Sequence, residues 1–390
     1  MKSILMVLSI SYLLIAQAVS ASARSEDVAV VGYLPEWRYE GANYDVIATH
    51  VSHLLFFSLE VLPDGGIGAL DRLPSAAILA EARIAADRHG TELLVCFGGN
   101  ARSAGFSPMV RSDTARARFV ANVLALIERL KLDGVDYNWE YPGYEFGRGY
   151  LAPSEVDADY AGLIALFRDT RAAFSAHAAE SSSSSRNGRL TITMAYYPDG
   201  KQEALLHSLR TTEAVDLLHM MSYDQGGAHH STTAFGKSAV DQGVATFGRD
   251  GAQHLTMGLP FYGRTAGTGE WTTYEDLVQT HHPLDADADA LGKLSFNGLR
   301  TIGIKTEYAI EAGLGGVMIW EAGQDCRTIA VTRNGKTHGV TCPAGDDSSL
   351  LVAITRAIAK AGRRRARSAG WWSSRRSEGE KEEREAKAEL

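Results

Sequence analysis

The sequence predicts an α/β protein built as a (β/α)8 TIM barrel, with a reduced or absent α+β insertion between its seventh and eighth strands. Three observations lead there. Eight short apolar runs recur along the chain, and amphipathic helical stretches alternate with them. No G-x-G-x-x-G turn follows the first run, which weakens an open doubly wound sheet as the alternative.

In order, the strand-like runs are "DVAVVGYLP", "HVSHLLFFS", "TELLVCFGG", "LDGVDYNWE", "RLTITMAYY", "VDLLHMMSY", "HLTMGLPFY" and "LGGVMIWEA". Between the third and fourth, residues 113–130 place Phe119, Val123, Ile127 and Leu130 on one helical face. Between the fourth and fifth, a helix near 154–178 is expected to open on Ser154 and Asp157 and to bury Tyr160, Leu163, Ile164 and Phe167. The serines at 181–185 read as a flexible loop at the end of the barrel opposite the chemistry.

The flanks differ from this body. Residues 1–23 combine Lys2, the apolar run "ILMVLSISYLLIA" and small residues before a cut after Ser20 or Ala23, the pattern of a secretory signal peptide. The barrel is assigned to 26–362, and 363–390, with Trp371 and Trp372 between charged blocks, to a disordered or partly helical tail. No other stretch is apolar enough to span a membrane, so the mature chain is expected to be soluble, secreted or lumenal. A monomer is expected.

The chain has 390 residues, 45% hydrophobic and 22% charged, enough for a sizeable core. A net charge of -8 argues against nucleic acid as a partner. Of three cysteines, Cys326 and Cys342 flank a polar loop that a disulfide would close, and Cys96 sits in an apolar run as a buried thiol.

The fourth run carries the chemistry. Asp136, Asn138 and Glu140 are spaced by two, so on a strand they share one face, with Tyr137 and Trp139 on the other. Carboxyls lining a barrel are costly unless used, and Glu140 falls at the strand end where barrel active sites lie. A nearby second carboxyl would raise the pKa of Glu140 and keep it protonated as a general acid. Asp136 is the expected source of that charge, with Asn138 a neutral orienting group.

These residues resemble the chitinases of glycoside hydrolase family 18, whose fourth strand reads D-G-x-D-x-D-x-E; here it is Asp133, Gly134, Asp136, Asn138 and Glu140, followed by Tyr141 and Pro142. "VGYLPEW", "THVSHLLFFS", "LLVCFGGN", "HMMSYD", "MGLPFYGR" and "GLGGVMIWE" resemble the family's other strands, in order, over about residues 28–361. The resemblance implies hydrolysis of β-1,4-linked N-acetylglucosamine polymers with retention, using the substrate's own acetamido oxygen as nucleophile. Glu140 would be the acid and base, and Tyr223 and Asp224 would hold the acetamido group and the distorted sugar. Trp320 would form the floor, with Met221, Tyr33, Gly98, Gly99 and Tyr141 as further substrate contacts. No cofactor is implied, and chitin or a related oligosaccharide is the expected partner.

Departures from the family pattern open two other readings. Asn138 stands where most members have Asp, and Asn100 where a stacking Trp follows the Gly-Gly pair. An amide accepts a hydrogen bond but brings no charge. A glycan-binding protein with little hydrolysis, or an endoglycosidase acting on N-linked glycans, would share these features. Trp37, Tyr144 and Tyr262 also fall near strand ends, where they line a groove or pack in the core. "DADADA" lacks the Gly and Glu of a calcium loop, and the pairs His229-His230 and His281-His282 lack ligand companions, so no metal is expected. His219 is expected inside the barrel beneath Tyr223.

Overall fold

A computed structural model describes residues 28–180 and 189–364. The signal segment, the serines at 181–185 and both tail tryptophans lie outside the described residues. Eight parallel strands close on themselves: β1 Ala29–Pro35, β2 His53–Val61, β3 Glu92–Gly98, β4 Gly134–Asn138, β5 Thr191–Tyr196, β6 Leu217–Met220, β7 Leu255–Pro260 and β8 Gly316–Trp320. Closure is through β1, which pairs in parallel with β2 at Val31 and His53 and with β8 at Ala29 and Gly316. All eight apolar runs became these strands.

The strands are buried on both faces because two cores meet them. Outside, Phe97, Phe119, Tyr137 and Phe167 pack between sheet and helices, with ring centroids 5.1 Å apart for Phe97 and Phe119 and 5.8 Å for Tyr137 and Phe167. Inside, Val31, Leu55, Leu94, Cys96, Ala195 and Met318 fill the barrel. Cys96 is the buried free thiol its surroundings suggested.

The helix Asp113–Leu130 starts where Ser112 Oγ accepts the Ala115 N–H at 3.3 Å, satisfying one of the free donors of the first turn. The next helix runs from Pro153 to Glu180. Its start is one residue earlier than expected, because Pro suits the first helical position and leaves Ser154 inside the turn rather than capping it. The expected face of Tyr160, Leu163, Ile164 and Phe167 is buried.

Between β7 and β8 the insertion is reduced but present. Strands Tyr262–Thr265, Trp271–Thr273, Ala290–Leu291 and Leu294–Ser295 form a small antiparallel sheet, joined by helix Tyr274–Thr280. The "DADADA" carboxylates organise the end of this insertion: Asp289 accepts from the Gly298 N–H at 2.9 Å and from Thr301 Oγ1 at 2.6 Å, at the start of helix Leu299–Glu311.

After β8, Cys326 and Cys342 form a disulfide across a separation of 16 residues. Opening it frees a loop of that size in the unfolded chain. Replacing both cysteines by serine is expected to lower unfolding stability by roughly 3 kcal/mol, read as a shift in the denaturant midpoint. An unchanged midpoint would show that the loop is held by its other contacts alone.

Candidate functional site

The C-terminal ends of the strands surround a cavity of about 510 Å³. Its wall includes Asn138, Glu140 and Tyr141 from the end of β4, Met221, Tyr223 and Asp224 after β6, and Trp320 at the end of β8. Six sequence-predicted residues beyond Glu140 itself therefore converge on one opening.

Glu140 is half-buried, and its backbone N–H is fixed by Ser103 Oγ at 3.1 Å. Burial disfavours the carboxylate and pushes its pKa up to about 7; the negative charge of Asp224 adds to the rise. Hydrogen bonds from the Asn138 side chain and the Asn100 backbone oppose it without cancelling it. The carboxyl is thus a proton donor up to neutral pH. Asp136 does not supply the charge that acts on Glu140, as the sequence had suggested; that carboxylate is Asp224, brought from β6 across the barrel mouth.

Asp136 lies deeper, fully buried in the barrel, where its oxygens accept from Tyr33 Oη at 2.9 Å and Thr193 Oγ1 at 2.7 Å. Burial raises its pKa while these hydrogen bonds pull it down. His219 is beside it, Nε2 3.9 Å from Asp136 Oδ1 and Nδ1 2.8 Å from Thr256 Oγ1. Burial lowers the pKa of His219 to about 3, so it is neutral.

Asn138 is 2% exposed, and its Oδ1 has no hydrogen-bond partner among the described residues. That buried carbonyl oxygen is an acceptor open to a donor.

Gly98 and Gly99 are not in the cavity wall. At Gly98, with φ 97°, a Cβ would stand 2.4 Å from the Asn138 carbonyl oxygen, and the Gly99 N–H donates to that same oxygen at 2.6 Å. The pair lets β3 approach β4 and fixes Asn138 from behind. Tyr33 is likewise below the floor, its ring 5.5 Å from that of Trp320. Asp133 sits at the other end of β4, accepting from the Leu93 N–H and Arg83, and serves the barrel rather than the cavity.

Asp224 has a positive φ of 57° and a side chain 32% exposed. Arg264 at 2.9 Å, Tyr262 Oη at 2.8 Å and His230 at 3.4 Å surround one of its oxygens and hold its pKa below the usual carboxylate value against the effect of burial. Among the described residues, Tyr223 Oη has only a weak partner, Met318 Sδ at 3.7 Å. Tyr262 is buried beneath Trp271, stacked at 4.0 Å.

Several wall residues had no pattern to reveal them. Arg102 follows the Gly-Gly pair, is held by Glu36 at 2.7 Å and lies 5.3 Å from the Phe57 ring centroid and 5.7 Å from that of Trp37. Trp271 and Asp276 come from the insertion, and Tyr197 from the end of β5. An exposed tryptophan in a polar segment, as in "TGEWTTYE", was the one available signal. Asn100 occupies the wall without an aromatic face, as expected.

The likenesses to known proteins agree with this architecture. The chain is 24% identical over 282 residues to a probable chitinase 2 of Drosophila melanogaster, covering 58% of this chain and 54% of that one. It is 25% identical over 304 residues to a chitinase 2 of Yersinia entomophaga, covering 62% and 47%. The chain thus spans about half the length of these relatives. Among solved structures, catalytic domain 2 of an Ostrinia furnacalis group II chitinase superposes with a TM-score of 0.65 at 20% identity, covering 86% of this chain and 97% of that one. A class V chitinase from Nicotiana tobaccum in complex with NAG4 gives 0.62 at 16%, covering 85% and 99%. The sequence profile described as "Glycosyl hydrolases family 18" matches residues 29–325. A match running from β1 past the end of β8 places the chain in that family: it is a member of the glycosyl hydrolases of family 18.

Proposed function

We propose that this protein is a secreted glycosidase that cleaves β-1,4-linked N-acetylglucosamine chains with retention, Glu140 acting as acid and then base. The observation that carries the proposal is a strand-end glutamic acid with a pKa near 7 beside a buried, unpartnered amide oxygen. Glu140 gives its proton to the glycosidic oxygen while the substrate's acetamido carbonyl oxygen attacks the anomeric carbon. The acetamido N–H is taken by Asn138 Oδ1, and the lightly engaged Tyr223 Oη donates to the acetamido oxygen. Glu140, now a carboxylate, removes a proton from the incoming water, which opens the cyclic intermediate. Trp320 supplies an apolar face to the sugar. Asp224, fixed by Arg264 and Tyr262, keeps its charge close to the developing cation.

Support for this substrate also comes from the Nicotiana chitinase and its NAG4. The signal-like residues 1–23 and the disulfide support an extracellular or lumenal setting. Asn138, which brings no charge, favours a second reading, a glycan-binding protein with little turnover.

The choice of substrate tests the substrate-assisted step. N-acetylglucosamine oligomers should be cut and give the β-anomer first by NMR, while fully deacetylated oligomers, lacking the attacking oxygen, should be bound but not cut. Cleavage of both at similar rates would show that the acetamido oxygen is not the nucleophile.

A further inference from the structure

The loop after Glu140 is not a plain connection. Residues Tyr144–Glu145 and Gly149–Tyr150 form a short antiparallel hairpin, tethered at both ends. The Gly143 N–H donates to Asp159 Oδ2 at 2.9 Å, and Tyr150 Oη donates to Asp199 Oδ2 at 2.5 Å. Lys201 Nζ lies 3.7 Å from the Tyr150 ring centroid. The tip carries Phe146, 55% exposed although its ring is 5.8 Å from Tyr141 and 5.6 Å from Tyr144. Tyr141 lines the cavity and is 6.3 Å from Tyr197, which also lines it. The aromatic surface therefore continues from the cavity wall to a solvent-facing ring on a tethered hairpin.

The cavity spans the barrel mouth. Trp37 follows β1 and Tyr197 follows β5, half-way round an eight-stranded barrel, and both line it. Trp37 is 56% exposed on the β1 side, and Phe146 adjoins Tyr141 outside the cavity. An exposed Phe in isolation needs no explanation. One that prolongs an aromatic wall on a tethered hairpin does.

We infer that the Tyr144–Tyr150 hairpin is a distal carbohydrate site, in which Phe146 stacks on a pyranose ring of a β-linked N-acetylhexosamine chain that extends past the cavity. The site rests on the glycan-binding part of the proposed function, and it requires a chain long enough to leave the cavity. Glu145 and Arg148, ion-paired at 2.7 Å beside it, offer partners to sugar hydroxyls.

The test is calorimetric binding of the N-acetylglucosamine dimer and hexamer to Glu140→Gln and to the double variant Glu140→Gln with Phe146→Ala. Removing one aromatic platform is expected to weaken hexamer binding about five- to tenfold and to leave the dimer unchanged. Phe146→Trp in the same background should restore or tighten hexamer binding. Equal loss on both oligomers, or none on the hexamer, overturns the distal site. Binding that follows this pattern in a wild-type protein without turnover would keep the site and refute the hydrolase. Absence of binding to any oligomer would refute both.

Discussion

Glu140→Gln is expected to lower turnover on N-acetylglucosamine oligomers by at least about 10²–10⁴, the contribution of a general acid, while binding survives. The same change should stabilise the fold. The folded carboxyl has a pKa of about 7 against 4.5 for the free group. Because the folded value is raised, the folded state holds a proton that the unfolded chain has released between those values. The contribution of Glu140 to stability is then complete below about pH 4.5 and is lost as pH rises through 7. At pH 8 the wild type should carry a penalty on the order of 3 kcal/mol relative to pH 4. Glutamine cannot ionise, so its variant should be more stable than wild type at pH 8 and similar to it at pH 4, as read by chemical denaturation. A variant that is inactive and also less stable at pH 8 would mean that Glu140 is a structural carboxylate.

Asn138→Asp should change the reaction in the opposite direction. Asn138 and Glu140 line the same cavity, and the Asn138 side chain acts on the Glu140 pKa, so an acid there places two carboxyls in one site. Like charges at that range raise one pKa further, and the alkaline limb of turnover should move above pH 7. A negative charge beside the cationic intermediate should also raise kcat, by as much as about a hundredfold if it equals one preorganised electrostatic group. Lower turnover would show that the neutral amide, with its free Oδ1, is what this site is built to use.

The strands were legible because parallel barrel strands are apolar on both faces and so stand out as runs against the amphipathic helices. Glu140 was legible as a charged residue ending such a run. What the alternation of Asp136, Asn138 and Glu140 could tell was the face, and not the depth. Asp136 is one strand step below Asn138, and that step takes it from the cavity into a closed core of Tyr33, Thr193 and Cys96. Gly98 and Gly99 were legible as a motif, yet their part is to admit the Asn138 carbonyl rather than a sugar. The charge acting on Glu140 was not legible. Asp224 reaches it only because the sheet curves around the barrel mouth, and His230, Arg264 and Tyr262, which hold its pKa low, come from the loop after β6 and from the first strand of the insertion. Phe146 lay in a glycine-containing loop whose hairpin depends on tethers to Asp159 and Asp199.

The most direct measurement is release of a chromogenic leaving group from an N-acetylglucosamine oligomer by wild type and Glu140→Gln, across pH 4 to 8. The expected result is wild-type turnover that is sustained on the acid side and falls through about pH 7, as the Glu140 proton is lost, with the variant slower by at least about 10²-fold throughout. Wild type and Glu140→Gln equally inert, with both binding the oligomer, would contradict it and leave a glycan-binding barrel.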